Sequence, residues 1–321
     1  MKIFAGSSST DFVKKMCNYL QIEPGQCETF HFSEGNTFVR IKENVRSKDV
    51  FIVQTIGLNS NDQFMELIFW IDAFKRASAN SITVVMPFFS YSKADKKDEP
   101  RVSIRARVCA DCLEVAGADR ILTMDLHSPQ IQGFFKKPVD HLAARPLLCE
   151  YILSRNLKNF VVASPDAGFT KSARKFAAYL KVPTVIGDKA RFDHSENASI
   201  LEIIGDVRGK NAVIVDDFTL TCGTLAETAL ALKKNGAEKI YAVVSHSLLS
   251  EKSLKTLEES CIEELFITDT VNNPLVKGHR KIRVISVAPL FAEAVKTICQ
   301  RESLSRIFES VPPEVLKAST I

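Results

Sequence analysis

The sequence has no apolar run long enough to cross a bilayer. Its opening, Met1-Lys-Ile-Phe-Ala, lacks the basic region, long apolar core and small-residue cleavage site of a signal peptide and reads as a strand. No membrane association is expected, and a cytoplasmic location is. Net charge is also small: the formal value is +4 over 321 residues, with no basic block and no basic stripe interleaved with aromatics. Nucleic acid is therefore not expected as a partner. Metal-like cysteine spacing is almost absent, because of eight cysteines only Cys109 and Cys112 stand close and no second such pair exists. That pair lies in a helical pattern, Arg105 to Val115, and reads as two core-facing thiols in a reduced compartment.

What is present fits an ordinary soluble globular protein, at 45% hydrophobic and 25% charged residues. A chain of this length exceeds one hydrophobic core, so two domains are expected. Strands are predicted over Asp49–Thr55, Ser81–Pro87 and Arg120–Asp125, and again over Asn159–Ala163, Asn211–Val215, Lys239–Ser245 and Lys281–Ser286. Helical spacing marks Met65–Ala77, Ser103–Ala116, Lys171–Leu180 and Leu225–Asn235 between them. Such alternation predicts an α/β fold of two similar domains, each a mostly parallel sheet with helices on both faces. The expected domains are 1–145 and 146–321, joined near His141–Leu148, with the last helix packing back on the first domain.

The most informative stretch is Ala212-Val-Ile-Val-Asp-Asp-Phe-Thr-Leu-Thr-Cys-Gly-Thr224. A buried strand is expected to end at Val215, with Asp216 and Asp217 just beyond it, at the carboxyl end of a sheet, where open α/β folds bind ligands. Gly223 lets the backbone of Thr221-Cys222-Gly223-Thr224 approach a phosphate, and the helix start that follows offers free N–H groups and a positive dipole end. The two carboxylates are placed to accept hydrogen bonds from sugar hydroxyls. A pocket for a phosphorylated sugar is one reading; a strand ending in an acidic turn and a helix N-cap is the other.

The stretch resembles the ribose-binding loop of type I phosphoribosyltransferases and of the ribose-phosphate pyrophosphokinase (phosphoribosyl pyrophosphate synthetase) family. Other blocks favour the second: Asn44–Gln54, Asn61–Leu67, Met124-Asp-Leu-His-Ser-Pro-Gln-Ile-Gln-Gly-Phe-Phe135, Ser164-Pro-Asp-Ala-Gly168, Asp188-Lys-Ala-Arg191 and Glu302–Phe308. These fall in the family's order from about Lys2 to Phe308. The resemblance implies two phosphoribosyltransferase-like domains. It also implies transfer of pyrophosphate from ATP to the C1 hydroxyl of ribose 5-phosphate, giving 5-phosphoribosyl 1-pyrophosphate and AMP for nucleotide biosynthesis. Such transfer needs a sugar-phosphate cradle, a nucleotide site, divalent metal and positive charge on the phosphates.

By this resemblance Asp216, Asp217, Thr221, Cys222, Gly223 and Thr224 hold ribose 5-phosphate, and His127 and Asp166 contact Mg²⁺. Lys189 and Arg191, with His127, are the catalytic residues; their i, i+2 spacing in an extended segment puts both side chains on one side. The loop Phe192–Ala198 then reads as a cover that closes over substrates. ATP falls to Phe32, Glu34 and Asn36 of a segment donated by a neighbouring subunit, to Lys93, Asp95, Lys96, Asp98 and Arg101, and to His127. A homo-oligomer built from dimers, up to a hexamer, is implied, as is a phosphate or ADP effector near Arg46-Ser47-Lys48 and Ser303-Leu-Ser-Arg306.

Departures from the family pattern stand at the nucleotide site, where Glu34, Asn36, Lys93 and Ala94 replace an aspartate, an acid, an arginine and a glutamine. Lysine lacks the planar fork of arginine, and alanine donates no hydrogen bond from its side chain. At the sugar site Leu220 stands for a third acid and Phe169 for a common second glycine. These losses give weight to an alternative: a catalytically weak regulatory subunit associated with an active synthetase. A simple phosphoribosyltransferase is disfavoured, since it would not need the first domain. Cys222, inside the phosphate loop, is expected to block sugar-phosphate binding when a thiol reagent modifies it.

Overall fold

The computed structural model describes residues 1–190 and 200–319, with only the backbone of Lys189, Ala190, Ile200, Leu201 and Glu309. Two compact units emerge. Of the described residues, the first comprises Met1–Ala144, Asp269–Asn272 and 286–319; the second comprises those within Arg145–Thr268 and Asn273–Ile285.

In the first unit the strands are β1 (Lys2–Ala5), β2 (Cys27–His31), β3 (Thr37–Ile41), β4 (Asp49–Val53), β5 (Ser81–Met86), β6 (Arg120–Met124) and β7 (Val139–Leu142). The sheet runs β1-β4-β5-β6-β7 with every pair parallel, and β2 and β3 form a separate antiparallel hairpin. Val50 to Val53 are consecutive and all buried, as expected of a strand covered on both faces. Helices α1 (Thr10–Leu20), α2 (Ser60–Arg76) and α3 (Arg105–Ala116) supply the cover. On α2, Leu67, Trp70, Ile71 and Phe74 recur at i, i+3, i+4 and i+7 and form one buried stripe, with the Trp70 and Phe74 rings stacked at 5.6 Å.

The stripe on α3 is Ala106, Cys109, Ala110 and Leu113. Cys109 is on it, but Cys112 is not: it is exposed. The expectation of two core-facing thiols therefore fails for Cys112, because position 112 lies off the 106-109-110-113 face. At the other end of the chain, α8 (Ala288–Gln300) rejoins this unit, and its Phe291 meets Phe12 of α1 edge to face at 5.4 Å.

A buried carboxylate ties the early elements together. Glu66 of α2 is only 1% exposed and has no cationic partner among the described ion pairs. Its Oε1 accepts the Ser7 N–H at 2.9 Å, the Thr29 hydroxyl at 3.0 Å and the Trp70 indole N–H at 3.1 Å. Its Oε2 accepts the Ser7 hydroxyl and, at 2.9 Å, the Gln54 amide. Five donors from the β1 exit, β2, β4's exit and α2 converge on one side chain, which is how a buried charge is tolerated without a counter-ion.

The second unit contains β8 (Phe160–Ser164), β9 (Thr184–Ala190), β10 (Ile200–Ile204), β11 (Asn211–Thr219), β12 (Ile240–Ser247), β13 (Ile262–Thr268) and β14 (Ile282–Ile285). Their order is β10-β9-β8-β11-β12-β13-β14, all pairs parallel except β10 on β9. Helices α4 (Arg145–Ser154), α5 (Thr170–Leu180), α6 (Gly223–Lys234) and α7 (Glu251–Glu259) connect them. All eight residues of β12 are buried, as its central place demands. From β8 the chain builds outward through β9 and β10, then returns to lay β11, β12, β13 and β14 on the other side. The order thus reverses between β8 and β11, and a crevice opens outside the carboxyl ends of those two strands. The first sheet grows in one direction and has no such reversal among its described strands.

Candidate functional site

The crevice is lined from one side by β11, which runs four residues past the predicted end at Val215. Asp216 and Asp217 therefore lie within the strand, not after it. The extension exists because β12 keeps pairing, Asp216 with Val244 and Thr219 with Ser247, whereas pairing to β8 stops at Ile214 with Ala163. Beyond Ile214 the β8 side of β11 is free of ladder bonds. Both carboxylates are half-buried there, and the Asp217 N–H donates to Asp216 Oδ1 at 2.9 Å.

Burial first, and the charge of Asp217 second, push the Asp216 carboxyl up to about 8. The shift favours retention of a proton by the pair, and a singly protonated carboxyl pair can both donate and accept hydrogen bonds. The same shift fixes a sign for stability. The folded value is raised above the unfolded value of about 3.9, so the contribution of Asp216 is complete below that value and is lost as pH rises through about 8. Denaturant midpoints should fall between about pH 5 and about pH 8, and Asp216→Asn should flatten the fall. An unchanged pH dependence in the variant would sink this account.

After β11 the chain turns sharply. Cys222 takes a left-handed conformation at φ 58°, a place where a side chain costs about 1 kcal/mol. The Thr219 hydroxyl holds it by accepting the Cys222 N–H at 3.3 Å. Gly223 opens α6, its N–H donating to the Thr221 hydroxyl at 3.2 Å. That neutral bond is weaker than one to a phosphate oxygen, which would displace it. Thr221 and Thr224 are exposed, but Cys222 is 1% exposed and burial raises its thiol to about 11. Neither access nor thiolate is available. The expected sensitivity of this loop to thiol reagents is thus not supported by its structure.

Across the crevice β8 delivers Asp166, exposed two residues past the strand end. Its Oδ1 accepts the Phe169 N–H at 2.8 Å, and its carbonyl accepts the Ser164 hydroxyl at 2.7 Å. Phe169 has φ −87°, a conformation any residue adopts, so the backbone does not call for glycine there. β9 reaches the same edge: Ser164 pairs with Ile186, and Lys189 is three residues beyond. Arg191 and the Phe192–Ala198 loop lie outside the described residues.

The remaining candidates belong to the first unit. Asp125 turns the chain out of β6 with φ 39°, its Oδ2 accepting the Ala144 N–H at 3.2 Å, and His127 follows, exposed. The Leu126 N–H donates to His141 Nε2 at 2.8 Å, which pins the turn. Sequence reasoning missed that role, since a lone histidine in a strand carries no spacing signal. Lys93, Lys96 and Asp98 line a cleft of about 410 Å³ together with Ala94, Glu99, Val102, Ser103 and Arg105. Arg105, at the start of α3, was also missed. Asp95 and Arg101 do not line this cleft, nor do Phe32, Glu34 and Asn36. Phe32 is 43% exposed at the end of β2, its ring edge-on to Phe30 at 5.0 Å, while Glu34 and Asn36 are exposed in the hairpin turn. No cluster of three or more His, Cys, Asp or Glu suited to a metal exists among the described residues.

Comparison with known proteins settles what these elements belong to. Residues 1–117 match the N-terminal domain of ribose phosphate pyrophosphokinase, and residues 189–309 match the phosphoribosyl synthetase-associated domain. A ribose-phosphate pyrophosphokinase of Porphyromonas gingivalis is 43% identical over 307 residues, covering 95% of this chain and 97% of that one. The chain belongs to the ribose-phosphate pyrophosphokinase family. A second member, from Caldanaerobacter subterraneus subsp. tengcongensis, is 44% identical over 309 residues, with 96% of this chain and 98% of that one covered. The phosphoribosylpyrophosphate synthetase of Mycobacterium smegmatis has a similar structure, with TM-score 0.87, 36% identity and coverage of 94% of this chain and 99% of that one. The α/β architecture expected from the alternating pattern is therefore that of this pyrophosphokinase family.

Proposed function

We propose that this chain is an active ribose-phosphate diphosphokinase, a transferase of diphosphate groups that makes 5-phosphoribosyl 1-pyrophosphate and AMP from ribose 5-phosphate and ATP. Family membership supports the reaction class. The observation that carries the reading on this chain is the half-buried Asp216–Asp217 pair beside an exposed Thr/Gly turn, at the crevice of the second sheet. In the reaction the C1 hydroxyl oxygen attacks the β-phosphorus of ATP. The bond from that phosphorus to the α–β bridging oxygen breaks, AMP leaves with that oxygen, and the hydroxyl proton is released. Asp216 and Asp217 orient the sugar through its ring hydroxyls, and the loop from Thr221 to Thr224 takes its phosphate. Lys93, Lys96, Asp98, Arg105 and the exposed aromatic Phe32 are assigned to ATP, with Glu34, Asn36, Asp95 and Arg101 around them.

Mg²⁺ fits the donor set. An ion that keeps most of its waters needs only one or two protein ligands besides substrate phosphates; His127 of the first unit and Asp166 of the second are each exposed and each of the right donor type to be such a ligand. When bound it neutralises charge on the transferring phosphates. Assembly into dimers or a hexamer would cover Phe30 and Phe32 on the hairpin, which are exposed and pack with partly buried Phe38. An effector anion is assigned to Arg46-Ser47-Lys48 and Ser303-Leu-Ser-Arg306; of these, Leu304 and Ser305 line a cleft of about 500 Å³ with Arg120, Asp140, Arg301 and Glu302, whereas Arg46, Ser47 and Lys48 do not. No helix among the described residues is long and apolar enough to cross a membrane.

Purified protein given ATP, ribose 5-phosphate and Mg²⁺ should form AMP and 5-phosphoribosyl 1-pyrophosphate, read by coupling to a phosphoribosyltransferase. No turnover at saturating substrates would favour the regulatory-subunit alternative. A second test concerns the missing acid. Leu220 is 50% exposed next to Thr221, so an aspartate there meets solvent and not an apolar enclosure. Leu220→Asp should tighten ribose 5-phosphate by about 1 kcal/mol, or about fivefold, by one charge-assisted bond less its desolvation. ATP affinity should be unchanged. Calorimetric titration at fixed Mg²⁺ reads both, and weaker sugar binding would mean that this loop does not contact the hydroxyls from position 220.

A further inference from the structure

Helix α7 does more than follow β12. Its N-cap, Ser250, and its third helical residue, Ser253, form a reciprocal capping box: the Ser253 N–H donates to Ser250 Oγ at 3.3 Å and the Ser250 N–H to Ser253 Oγ at 3.2 Å. That box would be complete with no further partner. Yet Ser253, 2% exposed, uses its hydroxyl proton elsewhere, donating to the carbonyl of Leu220 at 2.7 Å. With that proton committed, the 2.8 Å contact between the two hydroxyls must run from Ser250 to Ser253, and every donor in the ring is used. Next to it, the Leu248 N–H donates to the Thr219 carbonyl at 3.0 Å. Two successive carbonyls at the exit of β11 are thus anchored by the β12–α7 connection.

A peptide unit is planar, so the Leu220 carbonyl and the Thr221 N–H move as one body. We propose that Ser253 is a positioning residue for ribose 5-phosphate: by holding the Leu220 carbonyl it aims the Thr221 amide, the first of the phosphate loop, before the left-handed turn at Cys222. The proposal rests on the reading of Thr221 to Thr224 as the phosphate cradle. Ser253 touches no substrate and acts only through the loop. Its removal frees the peptide plane that opens the cradle and leaves the strand, the carboxylate pair and the nucleotide cleft in place.

The test compares Ser253→Ala with Ser250→Ala in the full chain. Both weaken the cap of α7 and should lower the melting temperature. Only Ser253→Ala frees Leu220, so it alone should raise the KM for ribose 5-phosphate, by about fivefold, the worth of one neutral hydrogen bond. Its kcat and its KM for ATP should stay at wild-type values. An unchanged KM for ribose 5-phosphate in Ser253→Ala overturns the proposal. So does the same rise in Ser250→Ala, which would trace the effect to helix stability, or a parallel rise for ATP, which would mean general damage. Calorimetry on wild type separates the deeper failure: if ribose 5-phosphate does not bind at all, the cradle reading falls and Ser253 with it.

Discussion

Replacing Lys189 with alanine is expected to lower kcat about a hundredfold, or about 3 kcal/mol, the typical worth of one contact to charge that develops in a transition state. The KM values for ATP and ribose 5-phosphate should change far less. Two facts motivate this. The segment Asp188-Lys-Ala-Arg191 resembles the family's basic pair, and β9 carries the Lys189 backbone past the end of β8 to the carboxyl edge that also bears Asp166 and the Thr221–Thr224 turn. In a loose phosphoryl-type transition state little covalent help is possible, so electrostatic stabilisation carries most of the rate. Lysine to arginine at this position should recover only part of the loss, because a compact ammonium and a planar fork place charge differently. Steady-state kinetics decides. A change confined to KM, or equal changes in kcat and KM, would remove Lys189 from that role and leave it as a binding residue.

The second large effect is on stability. Glu66→Ala should destabilise the protein by about 2–4 kcal/mol, since it leaves the buried Gln54 amide and Trp70 indole N–H with no acceptor and takes one from three less buried donors. The donors are the Ser7 N–H and hydroxyl, the Thr29 hydroxyl, the Gln54 amide and the Trp70 indole N–H. Their separate penalties do not add in full, because a network of shared partners relaxes together and admits water. Glu66→Gln should cost less but not nothing. It keeps one carbonyl acceptor and turns an amide donor toward groups that are themselves donors. Urea midpoints of the two variants test the order, and a loss under about 1 kcal/mol for alanine would show that the donors find other partners. A functional trace is expected too. Thr29 lies on β2, the strand that leads to Phe32, so loosening Glu66 should raise the KM for ATP more than that for ribose 5-phosphate.

The contrast between these two residues shows where sequence reasoning reaches. Lys189 can be proposed from the chain because the signal is local: two cations at i, i+2, in a block whose neighbours fall in a recognisable order. Asp216, Asp217 and the turn through Thr224 were legible for the same reason, as strand, acids, glycine and helix start are contiguous. The alternation of apolar strands and helical stripes likewise determined the α/β class, because burial on both faces of a parallel sheet leaves a pattern within each segment. Glu66 carried no such mark, and a glutamate on a helix ordinarily faces water. Only the convergence of β1, β2, β4 and α2 around it makes it a hub. Ser253 and His141 are of the same kind, each defined by a partner in another element, and Arg105 is marked only by the cleft it lines.

Where local pattern and tertiary pairing disagreed, pairing decided. The sequence by itself determined that a strand begins near Asn211 and that two acids follow its apolar run. It did not determine that the strand continues to Thr219, because propensity falls at Asp216, and only the ladder with β12 carries the backbone onward. That continuation, with β8 stopping short at its side, is what half-buries the carboxylates and raises Asp216. Cys222 shows the reverse case. Its place in the turn between strand and helix was legible, but its inertness was not, since accessibility and ionisation depend on what packs over a thiol and not on its neighbours in the chain.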